Sequence, residues 1–128
     1  MRVKMIKGRS DIRPAWLTAK LPEAQIFISE DKVYDVHAIS VFEGKISLLV
    51  VDDLRMINWY PSWFFEISGS SLPDDWICNL FDGEPTMVVG PEFVVKDIAS
   101  YCAMVELEDE QVQRFWRRLD TRNQRQDD

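Results

Sequence analysis

The sequence predicts a mainly β fold, either a small antiparallel barrel or a strongly bent sheet, that ends in an amphipathic helix (α+β overall). Residues 33–60 consist of short segments rich in β-branched and aromatic side chains, and turn residues separate them at roughly 8–12-residue spacing. Residues 112–119 instead repeat their apolar side chains three and four positions apart, the period of one helical face. The chain has 128 residues, 46% of them hydrophobic, which is enough for one domain with its own core.

The first predicted strands show the alternation of a half-solvated sheet. Residues 1–7 alternate apolar and basic side chains, and residues 8–14 then hold turn formers. Residues 24–29 are a brief strand candidate. The clearest strands are 33–42 and 46–51, because both are rich in valine and isoleucine and a Glu-Gly-Lys turn joins them as a hairpin.

The second half of the β region contains more breaks. Asp52 and Asp53 mark the turn before a strand at 56–60. Residues 61–63 predict one turn of 3₁₀ helix, because proline cannot donate to a sheet, and a strand resumes at 64–67.

Two further strands and a helical region follow. An extended segment is expected at 72–81, and the hairpin signal Asp82-Gly83 leads to a return strand at 86–89. The final helix is expected at 109–120, since Val112, Phe115, Trp116 and Leu119 share one face. Residues 92–104 fit either a short helix or another strand.

These elements predict a single domain over residues 1–128. Residues 30–92 form its β core, and residues 93–120 form a helical addition. Residues 121–128 have no apolar anchor, so we expect them to fray.

The net charge of −7 is unevenly distributed. Residues 1–20 carry six basic side chains and one acid (net +5), residues 21–110 carry eighteen acids and four bases (net −14), and residues 111–128 have a net charge of +2. Either the basic ends fold back on the acidic body, or the body faces a cationic partner that its potential steers and selects. An acidic total argues against a generic nucleic-acid binder.

Few residues suggest chemistry or a metal site. The only histidine, His37, and the two cysteines, Cys78 and Cys102, form no recognisable zinc or nucleophile motif, and both cysteines lie in apolar runs typical of buried thiols. No phosphate-binding or hydrolase motif occurs, so we expect no enzyme activity, no metal and no cofactor. No apolar run is long enough to span a membrane and no signal peptide is visible, so the expected compartment is the cytoplasm.

The densest aromatic cluster lies at residues 58–65, with five aromatics in eight residues. Most of these rings are expected to fill a small core. Tyr60 is the best candidate for an exposed contact, because tyrosine combines an apolar ring with a polar hydroxyl.

Four short motifs resemble a group of small bacterial proteins of uncharacterised function. The pattern is K-x-Y-x-V from Lys32, Y-P-x-x-x-F-E-I from Tyr60, L-P-x-x-W from Leu72, and G-P at Gly90. The similarity covers roughly residues 30–92 and implies an SH3-like barrel with terminal additions. It implies no activity, although some proteins of this kind are similar to immunity proteins encoded beside toxins.

The function expected from these observations is a protein-binding module, of the immunity type, that occupies a cationic partner with an acidic surface. Its candidate residues are Asp52, Asp53, Tyr60, Asp74, Asp75, Asp82 and Glu84, which we expect to be exposed. The alternative is a barrel that binds a small molecule or single-stranded nucleic acid through the aromatics at 58–65. The sequence leaves the partner's identity and the oligomeric state open.

Overall fold

The computed structural model describes residues 1–9 and 26–126, and for 122–126 only the backbone. Within these residues the fold is mainly β, with eight strands and three α-helices. The strands are β1 (Arg2–Met5), β2 (Val33–Asp35), β3 (Ala38–Phe42), β4 (Lys45–Val51), β5 (Ile57–Pro61), β6 (Phe65–Gly69), β7 (Trp76–Leu80) and β8 (Met87–Pro91). The helices are α1 (Glu92–Val95), α2 (Ile98–Val105) and α3 (Asp109–Gln126), and Ser62–Phe64 forms a 3₁₀ turn.

The strands form two antiparallel sheets. The smaller sheet has the order β2-β1-β6, and the larger has the order β5-β4-β3-β8-β7. The hairpins β3–β4, β4–β5 and β7–β8 all follow the predicted turns.

The predicted strand at 33–42 is interrupted, because its backbone changes sheets in the middle. The Val36 N–H donates to the Met1 carbonyl (2.9 Å), whereas the next amide, that of His37, donates to the Leu49 carbonyl (2.8 Å). β2 therefore belongs to the smaller sheet and β3 to the larger one. The chain crosses between the sheets again at the 3₁₀ turn, which was predicted and which joins β5 to β6.

Two hydrophobic cores lie on opposite faces of the larger sheet. Leu48 and Val50 of β4 belong to the first core and Leu49, between them, to the second, as the period of two in a strand requires. The first core consists of Val3, Met5, Ile28, Tyr34, Val36, Leu48, Val50, Tyr60, Phe64 and Phe65. The second consists of Ala38, Leu49, Ile57, Val88, Val94, Val95, Tyr101, Met104 and Phe115.

The helices cover the second core. Residues 92–104, which the sequence left open, fall in α1 and α2, and the Asp97 carboxylate caps α2 by accepting from the Ser100 N–H (2.7 Å). The Gln111 side chain donates to the Phe93 and Ser100 carbonyls (2.8 and 3.0 Å), so it ties α3 to both shorter helices. The prediction of a helix at 109–120 is confirmed, and α3 continues to Gln126 instead of fraying from residue 121.

Other sequence predictions differ from the structure or concern residues outside its described part. Cys78 and Cys102 are exposed free thiols, not buried ones: Cys78 lies on the edge strand β7, and Cys102 lies on the solvent side of α2. The strand expected at 24–29 is absent from residues 26–29, and its first two residues, like most of the predicted loop at 8–14, lie outside the described part of the chain. No described helix is long and apolar enough to cross a membrane.

Candidate functional site

Asp52 was expected at an exposed turn, but its side chain is buried. The residue is 3% exposed. Its carboxylate accepts from the N–H groups of Leu54 (2.9 Å) and Met56 (3.1 Å), the Asn58 amide (2.9 Å) and the Tyr60 hydroxyl (3.2 Å). Aspartate favours such turns because it accepts from backbone two residues ahead, and here the turn also folds over the first core. Asp52 therefore holds the β4–β5 hairpin and is not available to a partner.

Tyr60 was expected to be the most exposed aromatic of its cluster, and this expectation is wrong. It is 1% exposed, and its hydroxyl accepts from the Phe27 N–H (3.2 Å) while it donates to Asp52. Burial, together with the charge of Asp52, raises the pKa of Tyr60 to about 12. The ring faces inward because Leu48, its partner on β4, lies on the first-core side of the sheet.

Asp53, next in the same turn, is exposed but satisfied within the molecule. Its carboxylate accepts from the Lys32 ammonium (2.6 Å), the Tyr34 hydroxyl (2.8 Å) and the Ser29 hydroxyl. Burial alone would raise the pKa of Asp53, but these hydrogen bonds and the Lys32 charge outweigh it and hold that pKa below its ordinary value.

A polar cleft of about 300 Å³ lies beside this turn. Lys32 and Arg55 contribute positive charge to its lining, and Asp35, Asp52 and Asp53 contribute negative charge. The Lys32 ammonium is bound by Asp53, and the Arg55 guanidinium stacks over the ring of Trp116. The lining therefore carries charges of both signs, and Lys32 and Arg55 are already bound within the molecule, so the cleft identifies no ligand.

The other four candidates are exposed and lie at the two ends of β7. Asp74 and Asp75 precede the strand, and Asp82 and Glu84 follow it in the β7–β8 turn. Glu84 accepts from the backbone N–H of Glu43 (2.7 Å). No ion pair joins Asp74 or Asp82 to a described cation.

Asp75 is one of the residues of the acidic body that bind a basic end of the chain. Both of its carboxylate oxygens accept from the Arg118 guanidinium on α3, one of them at 2.8 Å. Arg2, near the other end, donates to Asp35 (3.1 Å). In the described residues the ends thus neutralise part of the body and leave Asp74 and Asp82 without a basic partner.

β7, which no charged or aromatic pattern in the sequence marks as a site, is an edge strand. It is the last strand of the larger sheet, and none of the described strands pairs with its outer edge. Its sequence, Trp-Ile-Cys-Asn-Leu, contains no charged residue, and Ile77, Cys78 and Leu80 are exposed. In the sequence, the strand is recognisable as an uncharged run at residues 76–81, with Asp74 and Asp75 before it and Asp82 and Glu84 after it.

An aliphatic row extends from β7 across the sheet. The strand register places Leu80 opposite Met87, Met87 opposite Val41, and Val41 opposite Ile46. Residues directly opposite on antiparallel strands share a face, so these four side chains form one row on the first-core side. Leu80 is 73% exposed and Ile46 is 46% exposed, so the smaller sheet leaves this end of the face uncovered.

The remaining aromatics of the 58–65 cluster pack internally. Phe64 and Phe65 are buried in the first core. The half-buried Trp59 contacts the Tyr101 ring edge-on, and Arg9 lies over the ring of Trp63. The cluster therefore forms no exposed row of ring faces for stacking bases.

Comparison with known proteins gives no relative for this arrangement: the chain matches no protein-family model, no curated protein and no solved structure. Among residues 1–9 and 26–126, no group of three or more His, Cys, Asp or Glu side chains is placed to hold a metal ion.

Proposed function

We propose that the protein is a protein-binding module that holds a cationic partner on the surface around β7. The observation that carries this proposal is the arrangement of β7 itself, an uncharged strand with exposed aliphatic side chains and two exposed acids at each end. Interfaces combine an apolar centre with a polar rim, and charges in the rim select the partner and accelerate its association. The immunity type of binding, in which the module neutralises its partner by occupying it, is the form that the resemblance of residues 30–92 suggests.

The charge of the whole body supports a cationic partner. Residues 21–110 have a net charge of −14, and the described ion pairs between the ends and the body engage Asp35, Asp75 and Glu110. An uncompensated field of one sign raises the encounter rate with molecules of the opposite sign and disfavours partners of like sign.

We also infer that residues 30–92, together with β1, form an SH3-like barrel that carries this surface. The supporting observation is the path of the strands: β1 pairs with both β2 and β6, β2 runs into β3, and β5 runs through the 3₁₀ turn into β6. The path from β1 runs to β2 by pairing, along the chain to β3, and by pairing to β4 and β5. It then continues along the chain to β6, which pairs with β1 and closes the circuit. Fold alone does not imply function, so the binding proposal depends on β7 and its acids and not on the barrel.

A reducing compartment, the cytoplasm, fits this proposal. Cys78 and Cys102 are both free and exposed. Exposed thiols stay reduced in the cytoplasm, because glutathione and thioredoxin keep them so.

The proposal is tested by affinity capture from the native cell with matched variants. The immobilised wild-type chain should retain a specific basic protein, and the retention should fall as salt screens the charges. The double variant Asp74→Asn/Asp82→Asn should lose that protein, while Glu66→Gln, an exposed acid on β6, should retain it.

Thermal unfolding of each variant is the control for folding. Both acids are exposed, so their replacement should leave the unfolding midpoint nearly unchanged. Equal retention by the wild-type chain and the double variant, or retention that does not respond to salt, would contradict the proposal.

A further inference from the structure

We propose that β7 accepts an extended segment of the partner as a sixth strand of the larger sheet. The segment is apolar at alternate positions and basic at both ends. This inference rests on the proposed function and specifies how the surface around β7 would be occupied.

The outer edge of β7 is open for pairing among the described residues, except that the Trp76 N–H also donates to the Pro73 carbonyl (3.2 Å). β7 ends the order β5-β4-β3-β8-β7, so the N–H and C=O groups of its outer side have no partner strand among the described residues. Strand addition to such an edge is a general mode of peptide recognition, in which main-chain hydrogen bonds supply affinity.

β7 also lacks the features that usually prevent edge pairing. Proteins commonly protect edge strands with charged side chains, proline or a bulge. Residues 76–80 contain neither a charged residue nor a proline, and their register with β8 runs without a shift from Trp76 to Leu80. The edge is therefore free of bulges, uncharged and five residues long.

The side chains beside this edge favour an apolar strand. Leu80 is the outermost member of the aliphatic row Ile46–Val41–Met87–Leu80, so a strand paired with β7 would place its own side chain next in that row. Ile77 is exposed on the opposite face of the strand. Apolar side chains at alternate positions would extend the row and cover Leu80, whose exposure is the largest among the exposed large hydrophobic residues described.

The ends of β7 specify the charge of the segment. Asp74 lies in the turn before β7 and Asp82 in the bend after it, eight positions apart in the sequence. A strand that spans β7 thus meets acids at both of its ends, and basic residues there would form ion pairs. β7 itself carries no charged side chain that could form an ion pair with the middle of the added segment.

The same charges disfavour a second copy of this chain as the occupant. If two β7 strands paired antiparallel, Asp74 and Asp75 of one copy would lie near Asp82 and Glu84 of the other. If they paired parallel, each acid would lie near its own counterpart. Both directions bring like charges together, which is unfavourable.

The probe is a synthetic peptide of about nine residues, with alternating valine and threonine in its centre and two lysines at each end. Titration into the isotopically labelled protein should shift the backbone amides of Trp76–Leu80 and should protect those of them that point away from β8. The same peptide with glutamates in place of the lysines should bind at least about tenfold more weakly.

Two further probes separate strand addition from simple charge attraction. In a paired strand, alternate N–H groups point toward β7. Of two peptides that are N-methylated at one or the other alternate set of residues, one should lose binding and the other should retain it. Leu80→Gln should weaken binding at least about tenfold, whereas Ile67→Gln, an equally uncharged change at a 62% exposed residue of β6, should change it less than about twofold.

The outcomes distinguish this inference from the proposed function. If the lysine-ended peptide does not shift Trp76–Leu80, or if both N-methylated peptides bind equally, strand addition at β7 is overturned, whatever the capture experiment retains. If the acidic variants lose the captured protein while Leu80→Gln retains it, the binding function stands and the strand-addition mode is wrong. Self-association of the free protein through β7 would identify a second copy as the occupant and would also overturn the inference.

Discussion

Asp52 and Asp53 are neighbours in one turn, yet their carboxylates have different surroundings. Asp52 is buried and accepts four hydrogen bonds from its own hairpin, whereas Asp53 is partly exposed and is held by Lys32, Ser29 and Tyr34. Both act inside the molecule: Asp52 fixes the β4–β5 turn, and Asp53 ties that turn to the segment before β2.

Replacement of Asp52 by alanine should destabilise the fold by about 3 kcal/mol. Four donors lose their acceptor, and a buried donor without a partner costs about 1–3 kcal/mol. Urea unfolding measures the effect. The control is Asp74→Ala, an exposed aspartate before β7, which should change stability by no more than about 0.5 kcal/mol. Equal losses in the two variants would contradict the role of Asp52.

The three tyrosines provide a second prediction at this scale. Burial raises the pKa of Tyr34 and Tyr60 to about 12 and raises that of Tyr101 as well. The phenolate absorbance of the folded protein should therefore show no tyrosine ionising near pH 10, where an exposed tyrosine titrates. Ionisation of any one of them near pH 10 in the folded state would contradict the buried placement.

The same shifts predict how stability depends on pH. The unfolded chain loses its phenolic protons near pH 10, but the folded chain holds those of Tyr34 and Tyr60 until about pH 12. The stabilisation is therefore complete below pH 10, falls as pH rises from 10 to 12, and should appear as a decrease of the urea midpoint in that range.

At the scale of elements, the most consequential contact is the close approach of β8 to β3. A Cβ atom at Gly90 would lie 2.9 Å from the Cβ and 3.3 Å from the Cα of Ala38. Ala38 is fully buried in the second core, so it has no space to move away. Glycine at residue 90 thus lets β8 join β3, and β8 in turn carries β7 at the edge.

Gly90→Ala should destabilise the fold by about 1–3 kcal/mol, because the added methyl group overpacks the β3–β8 contact. Gly69→Ala on β6 is the matched control. Its Cβ would come no closer than 3.6 Å to Arg2, so we expect no loss and a gain of up to about 1 kcal/mol. Both changes are measured by urea unfolding, and equal stability of the two variants would contradict the steric argument.

The strands and helices also show which elements local sequence patterns predict. The hairpins, the 3₁₀ turn and the C-terminal helix were all predicted, because alternation, turn residues and helical spacing are local signals. The break between Val36 and His37 was not predicted. Both flanking segments are equally β-prone, and only the change of hydrogen-bond partner from Met1 to Leu49 divides them.

For the whole molecule, the central property is an acidic body with basic ends. The Arg2–Asp35 and Arg118–Asp75 pairs neutralise part of the body, and both pairs are on the surface, where one ion pair stabilises by about 0–1 kcal/mol. A net charge of −7 remains, and its self-repulsion disfavours the compact state.

Added salt should therefore stabilise the protein. As NaCl rises through about 0.1 M, where the Debye length is about 10 Å, the repulsion is screened and the urea midpoint should increase. The double variant Asp74→Asn/Asp82→Asn, two charges less negative, should show a smaller increase. A midpoint that falls with salt would mean that the ion pairs contribute more than the repulsion costs.

The sequence by itself determined the mainly β composition, most strand and turn positions, the terminal helix and the division of charge, since each depends on neighbouring residues or on composition alone. It could not separate Asp52-Asp53 from Asp74-Asp75, which are the same dipeptide at two turns. The tertiary structure buried Asp52 and left Asp74 in solvent, because one turn folds over the first core and the other leads into an edge strand. It also placed Tyr60 inside and β7 at the edge, and these positions depend on pairing between residues far apart in the chain, which local patterns do not encode.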